Sequence, residues 1–103
     1  INPRSEVQRK EAFRFTKVAK GASIGANATI VCGYNLGEYC FIAAGATVVD
    51  EVPPFALMMG TPAKRVGWWS RAGARLNDNL VCPLDGSEYE VIGDNLIREK
   101  SKD

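Results

Sequence analysis

Few side chains in this sequence can do chemistry, and their pattern narrows what that chemistry can be. No histidine occurs among the 103 residues, so these residues can build neither a histidine general base nor a histidine-ligated metal. Cys32, Cys40 and Cys82 are the obvious nucleophiles. A thiol attacks only when a base or a cation holds it as thiolate, and no histidine or paired base stands near any of the three in sequence. Cys32 and Cys40 therefore read as small core or corner residues. Cys82 precedes a proline, as in half a zinc ribbon, but no second Cys-x-x-Cys completes it, so no metal is expected. Among the cations, Lys64 and Arg65 stand side by side behind a short apolar segment, Phe55–Met59. By residue type alone they read as a solvated pair.

Charge along the chain is uneven although the formal total is only +1. Residues 1–20 hold six basic groups against Glu6 and Glu11, residues 21–73 balance at three of each sign, and residues 74–103 hold four basic and seven acidic. A basic arm suits a phosphate or carboxylate partner, and a solvated segment is the plainer reading of any one residue in it. Nucleic acid is disfavoured because no basic stripe continues into the body of the chain. With 46% apolar, 24% charged and 9% aromatic residues, the composition is that of one small globular domain. No apolar run approaches the length of a membrane-spanning helix, so no membrane insertion is expected. The odd, unclustered cysteines and the lack of a signal-peptide pattern after Ile1 point to a reducing, cytoplasmic setting. A chain opening on Ile reads as a piece of something longer.

The elements that must position these residues announce themselves as a repeat. Val18, Ile24, Ile30, Leu36, Ile42 and Val48 fall six apart without a miss. Three positions after them come Gly21, Asn27, Gly33, Tyr39, Gly45 and Glu51, of which four are the Gly or Asn that tolerate positive φ. Four positions after come Ala22, Ala28, Tyr34, Cys40, Ala46 and Val52, mostly small. A period of six fits neither a helix face nor an alternating strand. It fits a solenoid in which each hexad supplies a short strand and a corner, the aliphatic residue pointing to the axis. Three hexads close one triangular coil, stacking Val18 on Leu36, Ile24 on Ile42 and Ile30 on Val48. The expected fold class is all-β: a left-handed parallel β-helix of about two coils with a small antiparallel C-terminal hairpin appendix.

Four segments follow from this pattern. Residues 1–15 form an arm before the coils, and residues 16–52 form the coils. Residues 53–73 form a terminal loop and cap, because Pro53-Pro54 removes ladder donors and ends the solenoid. Within this cap, Val66–Gly73 is read as a turn of helix. Residues 74–103 form the appendix, with a turn at Asp85-Gly86, a strand over Glu88–Ile92, a turn at Gly93-Asp94-Asn95 and a last strand over Leu96–Arg98. Two coils alone bury too little to stand, so either further coils precede Ile1 in a longer parent or neighbouring subunits cover the ends, and a trimer or larger assembly is expected.

The stretches Gly21–Gly33, Ile42–Val49 and Val52–Arg65 resemble the hexapeptide-repeat acyltransferases. Within these, Asn2-Pro-Arg4, Ala28–Gly33, Gly67-Trp-Trp-Ser70 and Cys82-Pro-Leu-Asp-Gly86 resemble one branch, the UDP-amino-sugar N-acetyltransferases. That branch acetylates the 3-amino group of UDP-2-acetamido-3-amino-2,3-dideoxyglucuronate. The resemblance covers nearly all of this chain but only the C-terminal part of the family's length. It implies acetyl-CoA as co-substrate, a UDP-amino sugar as acceptor, a homotrimer with CoA sites between subunits, and no metal. Ala43 stands where the family usually has Gly, and Tyr34 where it has a small residue.

The resemblance also implies roles. Lys64 and Arg65 would meet the phosphates at the nucleotide end of CoA, with Pro62 and Ala63 lining the adenine site; a plain turn accounts equally well for the latter two. Ala26 and Ala44, at matching corners of successive coils, would let CoA approach the backbone, although solenoid packing alone also demands small residues there. Asn2 and Arg4 would bind the sugar nucleotide, Arg4 through a bidentate pair with a carboxylate or diphosphate. No catalytic base is identified, and the active site is expected to be incomplete within these residues. The alternative is a non-catalytic solenoid serving as an assembly or scaffold subunit.

Overall fold

The computed structural model describes residues 16–101. Its regular elements are all strands: β1 Ser23–Ile24, β2 Thr29–Ile30, β3 Phe41–Ile42, β4 Thr47–Val48, β5 Ala56–Met59, β6 Lys64–Trp68, β7 Tyr89–Gly93 and β8 Leu96–Glu99. Among the described residues there is no helix.

The six-residue period shows directly in backbone geometry. The chain enters the left-handed region at Gly21, Asn27, Gly33, Tyr39 and Gly45, once per hexad, with φ of 76°, 60°, 98°, 58° and 75°. Each such residue turns the chain between two short strands, which is why no strand before Pro53 exceeds two residues. Tyr39 takes this conformation at a steric cost that Gly and Asn largely avoid. Between corners the chain pairs in parallel with the stretch three hexads further on. Val18 bridges Leu36, Ser23-Ile24 registers with Phe41-Ile42, and Thr29-Ile30 registers with Thr47-Val48. These are the three stacking pairs expected from the hexads.

Parallel stacking outlasts the boundary expected at Pro53. Leu36 bridges Val52, and Phe41-Ile42 registers with Leu57-Met58, both at an offset of 16. The corner after Val48 is two residues short, and the hexad spacing then resumes from Val52 to Met58. Pro53 and Pro54 do not stop the ladder because its bonds fall on either side of them. The Gly37 amide donates to Val52 O at 2.8 Å, and the Phe55 amide donates to Glu38 O at 2.9 Å. Gly37 is required here, since a Cβ on it would lie 2.4 Å from the Pro54 nitrogen.

The expected helical turn over Val66–Gly73 is not formed. Residues Lys64–Trp68 are strand β6, antiparallel to β5 with Ala56 opposite Trp68 and Leu57 opposite Gly67. Val and Trp favour this extended, half-buried setting, and β5 offers an edge to pair with. On the far side of β6, Arg75 donates through Nη2 to Val66 O at 2.7 Å and lies across Gly67. The appendix is the hairpin β7–β8, with a register shift between Val91 and Gly93 and a left-handed Asn95 (φ 59°) in its turn.

Two cores result. In the first, Leu36, Ile42 and Val48 are at most 1% exposed and pack with Cys40, Ala46, Val52, Ala56 and Met58. The hexad aliphatics of the preceding layer differ: Val18 is 53% and Ile24 45% exposed, because no further described layer lies beyond them. The expectation that all six point into a closed interior therefore holds for the second layer and not for the first. Tyr34 is half-buried, whereas Cys40 and Ala46 at equivalent positions are buried. The second core is Leu76, Cys82, Tyr89 and Ile97, and Trp68 packs against both. An aromatic column runs beside the second core: Tyr39 stacks on Phe55 with centroids 5.7 Å apart, and Phe55 meets Tyr89 edge-on at 5.2 Å.

Candidate functional site

Where β5 turns back into β6, the chain runs Gly60-Thr-Pro-Ala63, and the layer below fixes this turn. The Thr47 amide donates to Gly60 O at 2.9 Å, and the Ala63 amide donates to Thr47 O at 2.8 Å. The Thr61 hydroxyl contacts that of Thr47 at 3.3 Å and donates to Gly45 O at 3.4 Å. Gly45 in turn donates its amide to Ala26 O at 2.9 Å. The corners holding Ala26, Ala44 and Thr61-Pro62 are thus stacked in successive layers along one edge. Ala26, Ala44 and Pro62 are exposed on that edge. A Cβ on Gly25 would come within 2.5 Å of the Ala44 nitrogen, so the layers touch backbone to backbone there. Small residues at 26 and 44 leave the edge open for a long, thin ligand to lie along it.

Beside this edge is an open cleft of about 280 Å³. Pro62, Ala63, Lys64, Arg65, Asp50, Glu51 and Asn95 are among the residues that line it. The structure therefore brings four of the residues singled out in the sequence into one cleft, and it leaves Ala26 and Ala44 outside the lining. Asn2 and Arg4 lie outside the described residues.

The Arg65 guanidinium is fixed on two sides. It lies over the Trp68 ring, 4.2 Å from the centroid, and its Nε donates to Asn95 Oδ1. Lys64 is exposed and lines the same cleft. Two carboxylates that line the cleft accept from backbone: Asp50 accepts the Glu51 amide at 2.7 Å, and Glu51 accepts the Asn35 amide at 3.2 Å. Neither is in an ion pair with Lys64 or Arg65. Such a cleft can hold an anionic group on its cationic side and a flat, partly apolar group against Pro62 and Ala63.

The cysteines lie away from this cleft. Cys40 is fully buried, and burial pushes its thiol up to about 11. Cys82 is buried against Ser70, to whose hydroxyl its thiol donates at 3.1 Å, while the Leu84 amide donates to its sulfur at 3.4 Å. Cys32 is exposed. Among the described residues no group of three or more Cys, Asp or Glu is gathered to hold a metal ion. No helix among them is long and apolar enough to cross a membrane.

Sequence reasoning missed Asn95, Asp50 and Glu51 as members of the cleft. Asn95 was legible as a turn residue, but nothing in its spacing tied it to Arg65, 30 positions earlier.

Comparison with known proteins gives the cleft a context. No protein-family model matches the chain. It is 41% identical over 82 residues to the dTDP-3-amino-3,6-dideoxy-alpha-D-galactopyranose 3-N-acetyltransferase of Aneurinibacillus thermoaerophilus, covering 78% of this chain and 43% of that protein. It is 49% identical over 41 residues to the 2,3,4,5-tetrahydropyridine-2,6-dicarboxylate N-acetyltransferase of Brevibacillus brevis, covering 40% of this chain and 17% of that one. Among solved structures it is similar to a hexapeptide-repeat-containing acetyltransferase from Vibrio cholerae O1 biovar eltor, complexed with acetyl coenzyme A. The TM-score is 0.52 at 28% identity, over 61% of this chain and 37% of that chain. The chain thus spans less than half the length of these relatives.

Proposed function

We propose that this chain, a homologue of the hexapeptide-repeat acetyltransferases, is part of an acetyl-CoA-dependent N-acetyltransferase acting on a nucleotide-linked amino sugar. The observation that carries the reading is the cleft itself, which sets Pro62, Ala63, Lys64 and an immobilised Arg65 beside an edge of exposed small residues. The relative from Aneurinibacillus, which acetylates a dTDP-linked amino sugar, supports the acceptor class. The acetyl-CoA complex of the Vibrio protein supports the donor.

On this reading Lys64 and Arg65 hold the phosphates of CoA, with the adenine against Pro62 and Ala63. The pantetheine arm runs along the Ala26–Ala44 edge. Acetyl-CoA supplies an activated thioester. The acceptor amine, in its neutral form, attacks the thioester carbonyl, and backbone amides at the coil edge suit the oxyanion that develops. None of residues 16–101 is assigned as the base. Asn2 and Arg4 belong to the acceptor side of the reading, Arg4 pairing with a carboxylate or diphosphate. We take the stack to be a left-handed β-helix that assembles as a trimer, with each CoA site completed by a neighbouring subunit. A trimer would also cover apolar residues such as Val31 and Val49, both more than 40% exposed here. Unpaired Cys32, Cys40 and Cys82 fit a cytoplasmic setting.

Calorimetric titration of the full-length protein with acetyl-CoA, followed by acetyl-transfer assays on UDP-linked and dTDP-linked 3-amino sugars, tests the proposal. Saturable binding that dephosphorylation of the coenzyme weakens is the expected result. A protein that assembles but binds no acetyl-CoA would be a scaffold and would overturn it.

A further inference from the structure

We propose that Asn95, in the turn of the C-terminal hairpin, is a positioning residue that aims Arg65 at the anionic end of the coenzyme. The inference rests on the acetyl-CoA reading above and assigns the hairpin a part in it. Three observations converge. Asn95 lines the same cleft as Lys64 and Arg65 although it lies 30 residues beyond Arg65 along the chain. Its Oδ1 accepts the Arg65 Nε–H, and the Trp68 ring supports the guanidinium face from 4.2 Å. Its backbone sits at φ 59°, in the turn where the β7–β8 register shifts.

A free arginine on an exposed strand has many rotamers, and ordering them on binding costs affinity. Here Asn95 and Trp68 remove most of that freedom before a ligand arrives. A guanidinium has five N–H donors. Using Nε on Asn95 leaves the paired Nη groups as a fork for two oxygens of one phosphate. Asn95 is suited to this because its amide oxygen accepts the Nε–H without neutralising the charge, as an Asp at the same place would. Asn is also, after Gly, among the residues that best tolerate the left-handed turn position.

Acetyl-CoA binding by Asn95→Gly, Arg65→Ala and the double variant of the full-length protein tests the proposal, with thermal unfolding followed in parallel. Gly keeps the turn and loses only the amide, so a purely structural role predicts no change in affinity. The expected result is a roughly 3- to 10-fold weaker Kd for Asn95→Gly at an unchanged melting temperature. In the Arg65→Ala background the same change should have no further effect, because the two residues act as one unit. Wild-type binding that depends on Arg65 but not on Asn95 would overturn this inference and leave the acetyl-CoA reading standing. An additive double variant would do the same. No binding by the wild type would overturn the acetyl-CoA reading itself.

Discussion

The Tyr39 ring lies against Gly21 one layer below it, so closely that a Cβ at position 21 would come within 2.3 Å of Tyr39 Cδ1. Both residues hold the left-handed conformation, and Phe55 stacks on the other side of the ring at 13° between planes. The ring has little room to move. Gly21→Ala should therefore destabilise the fold by about 1–3 kcal/mol, through crowding and positive φ together. Urea unfolding checks this. In a Tyr39→Ala background the crowding is relieved, and the cost of Gly21→Ala should shrink toward the backbone component alone.

Position in the stack, rather than residue type, should decide what happens at the hexad aliphatics. Ile42 is fully buried and its register partner Ile24 is 45% exposed. Ile42→Asp should abolish folding, because it places an unpaired charge in the core. The milder Ile42→Ala should cost about 2–5 kcal/mol. Ile24→Asp should leave this chain folded, as judged by circular dichroism and its urea midpoint. Equal damage from the two aspartates would mean that further structure covers Ile24.

Lys64 and Arg65 hold a remote part of the coenzyme in the proposed function, so their loss should show in KM more than in kcat. Charge reversal of both to Glu in the full-length protein is expected to raise the acetyl-CoA KM strongly. Each lost charge-assisted contact is worth about 1.5–3 kcal/mol, or roughly 10- to 100-fold. Added salt should weaken wild-type binding in the same direction, since both side chains are exposed. A kcat defect at unchanged KM would place these residues elsewhere in the mechanism.

The buried thiol of Cys40 gives an alkaline signature. Its pKa rises from 9.0 to about 11 on folding, because burial penalises the thiolate. The unfolded chain then loses its proton first. Stability from this group is fully present below pH 9.0 and is lost as pH climbs toward 11, at up to about 1.4 kcal/mol per pH unit. Cys40→Ala should flatten that part of the stability profile relative to wild type. In the native protein at pH 8, iodoacetamide should label exposed Cys32 and spare buried Cys40 and Cys82.

What could be foreseen divides along physical lines. The hexads made the stacking pairs legible, because a small residue at a corner and an aliphatic at the axis are local demands that recur at a fixed spacing. Tyr39 and Phe55 hid two corners. Nothing in an aromatic residue signals positive φ, and the stacking of Tyr39 on Phe55 is a contact between layers that local pattern does not show. The shortened corner between Val48 and Val52 hid the third layer, since it shifted the aliphatic frame by two just where two prolines argued for an end. Lys64 and Arg65 were visible as a pair, whereas Asn95 entered the cleft through hairpin docking that local spacing cannot express. The strand at Lys64–Trp68 was missed for a related reason: its conformation is decided by the β5 edge beside it rather than by its own pattern.

Arg75, bonded to Val66 O and laid across Gly67, has a consequence for how copies of this protein can meet. A stack of parallel strands grows without limit when each end offers a template to the other, as in a fibre. Here β6 reverses direction, and the Arg75 guanidinium occupies a carbonyl on its outer edge. A further strand therefore finds no free template along that edge. Together with the Leu76 amide on Trp68 O and the Trp69–Arg75 bridge, the arginine caps this end of a repeat built for stacking.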